Sequence, residues 1–301
     1  MLNRFTQIMF HTFQISEGKG DGDGNGDGDT KTNNETKTNN NTPRDILQTL
    51  PTFMQRQILA FFGYKDHTLA GRTSPQLYAL WKEARERMAR DGVRVPEDCS
   101  TLEEAVERVH GDDRLTTIVL GAQQHQIDGK YLEIPSAMNI VGDPEVPKEK
   151  IVVVGGIEFE ERIQGNCHLQ HLTLQAKGHG VLGESSFTMD DVLVEQCGWQ
   201  GVLVRGTGVV GRCTNVEVRQ CRLSGVYASH GGSITLIGAK TTVHHNCTTG
   251  HSNQYGLKVY GASTIHLVSP LTKEQVSVDN GGGGNWGAEY GDTNQIKTIN
   301  E

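Results

Sequence analysis

Over the last two-thirds of the chain, apolar residues come in short runs, each closed by a polar pair or a glycine. Four segments line up: LTLQAK from Leu172, VLVEQC from Val192, VEVRQC from Val216 and TVHHNC from Thr242, with starts 20, 24 and 26 residues apart. A second series trails the first: GVLG from Gly180, GVLV from Gly201, GVYA from Gly225 and GLKV from Gly256, in steps of 21, 24 and 31. Alternation with a period of two predicts strands. Two strand series sharing one loose period predict stacked coils, each burying its inner face only against its neighbours. Leu172, Leu174, Val192, Val194, Val202, Val216, Val218 and Val226 are the positions expected to point inward. About 180 residues at roughly 20–30 per coil predict roughly seven or eight coils, about 4.8 Å apart.

Upstream of the repeats the period changes to that of a helix. Ser100 with Glu103 reads as a capping box, and Leu102, Ala105, Val106 and Val109 form an apolar stripe. Short strands are expected at 116–120, 131–134 and 138–141, between Gly and Pro turns. Further upstream, Pro43 opens a helical pattern through Ile46, Leu47, Leu50, Phe53, Met54, Ile58, Leu59, Phe61 and Phe62. Gly63 closes it, and a second segment carries Leu77, Leu80, Trp81 and Ala84. Residues 17–43 hold almost nothing apolar and read as a disordered tether. Asp21, Asp23, Asn25, Asp27 and Asp29 imitate the start of a calcium loop, but its twelfth position is Thr32 where a bidentate Glu is needed.

Composition sharpens this picture. Hydrophobic content is 35%, below the usual ~45–50%. The 37 glycines in 301 residues are well above a usual ~7%, which suits a fold with many turns. A net charge of −8 argues against nucleic acid as a partner, since that needs a basic footprint. It gives no reason to expect an anionic membrane either. The six cysteines include no CxxC pair and no secretory signal precedes them, so the reading is free thiols in an intracellular protein, cytoplasmic or nuclear. Residues 1–16, with one Arg and no acid, leave organelle targeting open.

Two resemblances follow from particular residues. The helix with its STLEEAV sequence, followed by strand, glycine and NIVG, resembles the entrance of pectin-lyase-like right-handed parallel β-helices. Leu50-Pro51, Ile58-Leu59, Phe62 and Trp81 resemble an F-box, with Phe53 in place of the usual acid and Trp81 a few residues late. The expected fold class is mainly β: a right-handed parallel β-helix over 95–301, a small helical F-box-like unit over 44–90 and a tail over 1–43. The F-box resemblance implies that Leu50, Pro51, Ile58, Leu59, Phe62 and Trp81 bind a Skp-type adaptor of a cullin ubiquitin ligase. The solenoid would then receive a protein or carbohydrate ligand.

The chemistry expected of the solenoid is binding. Between Leu172 and Val268 the acids are Glu184, Asp190, Asp191, Glu195 and Glu217, and they do not repeat at one coil position. Glycoside hydrolysis needs a carboxylate pair, so no catalytic residue, cofactor or metal ligand is assigned. Arg205, Arg212, Arg219 and Arg222 read as salt-bridged surface. Cys197, Cys221 and Cys247 are expected in one column as buried thiols, with Gln196, Gln220 and Asn246 as an amide ladder. His244 and His245, as strand neighbours, are expected on opposite faces. The alternatives are a carbohydrate-active β-helix, lyase or hydrolase or its inactive binding relative, and a structural scaffold solenoid.

Overall fold

The computed structural model describes residues 92–300. The tail, the F-box-like unit and its residues Leu50, Pro51, Ile58, Leu59, Phe62 and Trp81 lie outside them.

The described chain is a parallel β-solenoid with three faces. The first face is a nine-stranded sheet in chain order, from Val93–Val95 to Ile296–Ile299. Two long strands, Gln124–Ile134 and Val152–Phe159, run across the other two faces and join them into one 12-stranded sheet. Beyond them the second face is Thr173–Gln175, Leu193–Glu195, Glu217–Arg219, Thr242–His244 and Ser277–Val278. The third is Val181–Gly183, Val202–Arg205, Val226–Ser229, Leu257–Tyr260 and Trp286–Glu289.

All eight expected inward positions are fully buried, each with 0% exposure. One apolar cluster runs from Val93 to Ile296, so the coils share a single core. The helix Leu102–His110 buries Leu102, Ala105, Val106 and Val109 as expected and packs on the first coil. Its cap lies one residue later than the pattern indicated. Thr101 accepts from Glu104 N, while Glu104 Oε2 takes both the N–H and the hydroxyl of Ser100. Glu104, not Glu103, therefore closes the turn, but on Ser100, the residue before the cap, and not on the cap residue itself as in a capping box.

Corners are made by residues with positive φ: His171, Asp191 and Asn215 between the first and second faces, and Gln196, Gln220, His245 and Asp279 between the second and third. Most of these are Asn, Asp or His, which tolerate the left-handed region better than other non-glycine residues.

The register corrects the fourth segment, TVHHNC, by one residue. Glu217 pairs with Thr242, so Cys221 is level with Asn246, not Cys247. The inner column is therefore Cys197, Cys221, Asn246, Asn280. The amide ladder joins Asn246 and Asn280, while Gln196 and Gln220 stand on the corner, one residue earlier. All six cysteines are free and buried. Contact with Cys197, then burial, raises the Cys221 thiol; burial raises that of Cys247 to about 12.

Candidate binding surface

At the corner between the second and third faces, successive coils are tied backbone to backbone. Gly198 N donates to Ala176 O at 2.8 Å, Trp199 N to Gly178 O at 2.9 Å and Leu223 N to Trp199 O at 3.2 Å. This fixes the turns, and Trp199 projects from the middle one with 42% of its surface exposed. A register shift between Gln126 and Tyr131 bulges the first long strand toward it. Lys130 Nζ then sits 3.4 Å from the Trp199 ring centroid and 5.0 Å from that of Tyr131. His179 meets Trp199 edge to face at 4.9 Å and stacks with Tyr131 at 6.2 Å.

The Tyr131 hydroxyl accepts from His179 N at 3.2 Å. Burial, then the charges of Lys130 and Arg205, lowers the His179 imidazole to about 4. It is therefore neutral near pH 7, and its Nδ1 is buried with no hydrogen-bond partner. Lys130, Lys177 and Arg222, all exposed, lie on or beside these turns, and none has a carboxylate within salt-bridge distance among the described residues. On the adjoining third face Glu133 stands opposite Glu158, and burial, then Glu133, raises the Glu158 carboxyl. Leu182 and Leu203 continue that outward file.

Five acids near the corners are held by cations. Arg219 bonds Glu195 and Glu217 at 2.8 Å, and Arg205 pairs with Glu184. Lys258 takes Glu289 at 2.7 Å. Asp191 takes Lys148 Nζ and His171 Nδ1, both at 2.7 Å, and His171 Nε2 reaches Val146 O at 2.8 Å. That last group clamps the loop before Ile151 to the corner.

Both His171 nitrogens face acceptors. The bond to Asp191 raises its pKa, although burial opposes this. Burial pushes Asp191 up, but the bonds from His171 and Lys148 outweigh it and bring the carboxyl to about 2. The sign of the linkage follows. The His171 contribution is complete below an unfolded pKa of about 6.5 and is lost as pH rises through the higher folded value. The Asp191 contribution is complete above about 4 and is lost as pH falls toward 2. His171→Asn, which tolerates the positive φ, should therefore destabilise the fold at pH 5–6 more than at pH 9. Urea midpoints for both proteins at the two pH values check this, and an equal loss at both would refute the clamp.

The sequence placed His244 and His245 on opposite faces, but the structure brings them together. His245 has φ 54, which breaks the strand alternation. The two Nδ1 atoms are 2.7 Å apart. Glu195 and Glu217 stand at different repeat positions, as expected. Trp199, Lys130, Tyr131 and His179 were not among the expected site residues. A tryptophan in a Gly-Trp-Gln-Gly turn is the one local signal that could have drawn attention.

No helix among the described residues is long and apolar enough to cross a membrane. Neither protein-family models, curated proteins nor solved structures gave a match to this chain.

Proposed function

We propose that this chain is a non-catalytic binding protein that receives a protein partner at the Trp199 corner. The observation that carries this reading is an exposed tryptophan bordered by three cations without acid partners. Trp and Arg are over-represented among the residues that dominate binding energy at interfaces. The ion pairing supports a non-enzymatic role, because Glu184, Asp191, Glu195, Glu217 and Glu289 are all bound to cations. In this reading the pectin-lyase-like resemblance supplies the scaffold. The F-box-like unit, through Leu50, Pro51, Ile58, Leu59, Phe62 and Trp81, docks a Skp-type adaptor and makes the chain a substrate-recognition subunit of a ubiquitin ligase.

Quantitative affinity purification of wild type, Trp199→Ala and the double variant Leu50→Ala/Pro51→Ala tests both halves. Truncating an interface anchor typically costs about 2 kcal/mol or more, roughly thirtyfold in affinity. The Trp199 variant should lose the client and keep the adaptor; the double variant should do the reverse. A set of retained proteins indifferent to Trp199 overturns the corner, and no adaptor bound by wild type overturns the ligase role.

One observation favours a second reading, a carbohydrate-active solenoid or its inactive binding relative. Tyr131, His179 and Trp199 form an aromatic file beside the Glu133–Glu158 pair. Retention of a polysaccharide by wild type but not by Trp199→Ala would select it.

A further inference from the structure

From His244 and His245 we infer a copper(II) site on the outer surface where the second face turns toward the third. It is independent of the Trp199 corner. His244 lies on the outward file of the second face, level with Arg219. His245 occupies the corner column, where Gln196, Gln220 and Asp279 share its positive φ. An ordinary extended residue there would point its side chain away from its neighbour. The positive φ instead turns the His245 ring back beside that of His244, with centroids 5.0 Å apart. His245 is exposed and His244 half-buried, so water and ions reach the pair.

Three features suit a metal ion. First, the two Nδ1 atoms converge at 2.7 Å, where a single proton can be shared or exchanged for a cation. Second, His244 Nε2 faces Glu217 Oε1 at 3.2 Å. That contact places the His244 proton on Nε2 and leaves Nδ1 as a lone pair, the carboxylate–histidine arrangement found behind metal-bound imidazoles. Third, Arg219 is bonded to both Glu195 and Glu217, so this group of three carries one net negative charge beside the pair.

The bite selects the metal. With metal–nitrogen bonds of about 2.0–2.1 Å, two cis ligands at a right angle are about 2.9 Å apart, and at a tetrahedral angle about 3.3 Å. The observed separation needs only a small ring rotation to reach the first value. Square-planar N,O coordination belongs to copper(II) or nickel(II), and copper binds more tightly in the divalent series. Among the described residues no group of three His, Cys, Asp or Glu side chains converges, so water completes the coordination.

Full-length protein, stripped with a chelator, would be titrated with copper(II) chloride in a non-coordinating buffer and followed by electron paramagnetic resonance. Asparagine tolerates a positive φ, so His245→Asn preserves the corner, and equal melting curves would confirm that it folds. Wild type should take up one equivalent more than His245→Asn or His244→Gln, with a signal split by two nitrogens. Copper bound elsewhere on the chain is common to all variants and cancels. Glu217→Gln should keep the stoichiometry and weaken binding about 10–100-fold. Equal uptake by wild type and His245→Asn overturns the site. So does zinc displacing copper at equal concentration, since the argument rests on the narrow bite.

Discussion

Replacing Asn246 by leucine should lower the stability of the solenoid by about 2–4 kcal/mol. Leucine is close in size, so the loss is not one of volume. The Asn246 side chain is 1% exposed and connects three coils. Its Oδ1 accepts from Cys221 N at 3.0 Å, and its Nδ2 donates to Val218 O at 2.9 Å and to Asn280 Oδ1 at 3.1 Å. Leucine leaves a buried N–H without its acceptor and removes a donor from two oxygens. Each buried group left unpaired costs about 1–3 kcal/mol. Asn280 Oδ1 still has the Asn246 backbone N–H at 3.0 Å, which keeps the total below three full penalties. At about 2–4 °C per kcal/mol for a chain of this size, the midpoint should fall by about 4–16 °C. A shift under 2 °C would show that the ladder is not structural.

That asparagine also shows where the sequence misleads. Thr241 and Thr242 are adjacent and identical, and Cys247 imitates the cysteine that closes the two earlier repeats. Matching cysteine to cysteine slides the fourth segment by one residue. The hydrogen-bonded register matches Cys221 to Asn246 instead. An amide and a thiol can share the column because both are small polar groups reaching backbone: Cys221 Sγ to Arg219 O, and Asn246 to Val218 O.

The second and third faces are legible because their inward residues are almost all Val or Leu at a regular spacing. The first face is less so. Ile-x-Leu recurs at Ile118, Ile234 and Ile265, but between the first two the inward pairs are Ile140 and Gly142, Cys167 and Leu169, Phe187 and Met189, Gly211 and Cys213. These fill the same cross-section with different shapes, such as the stacked Phe159–Phe187 pair at 5.0 Å, so no signature spans the middle coils. The Trp199 corner is illegible for another reason. Lys130 and His179 reach Trp199 from different coils, and coil stacking, not chain proximity, assembles them. The histidine pair was hidden by the rule of strand alternation, which a single positive φ suspends.

Gly201→Ala should cost about 2–4 kcal/mol. The backbone there is not in the left-handed region, so the restriction is one of space. A Cβ would lie 2.4 Å from Val218 Cγ1, 2.7 Å from the Gly225 carbonyl oxygen and 3.1 Å from Cys221 Sγ. Val218 is fully buried and flanked by Val194 on the coil before it and Val243 on the coil after it. The Gly225 oxygen accepts from Val202 N at 2.9 Å, so moving it breaks a rung of the third face. The same crowding holds one coil up, where a Cβ on Gly180 would meet the Gly201 oxygen at 2.7 Å, and one coil down, where a Cβ on Gly225 would meet the Gly256 oxygen at 3.0 Å. The glycine series is thus a column in which each residue leaves room for the carbonyl of the next. Overpacking a close-packed interior typically costs about 1–3 kcal/mol and sometimes more, and the upper end applies where the obstacle is backbone. Gly111→Ala is the control. It follows the capping helix with φ −83, and its Cβ meets nothing closer than Glu107 O at 3.3 Å, so it should change stability by less than about 1 kcal/mol. Urea midpoints of the two variants, measured side by side, decide the matter: equal losses would mean that the third face can spread to admit a methyl group and that the glycine column is not a packing requirement.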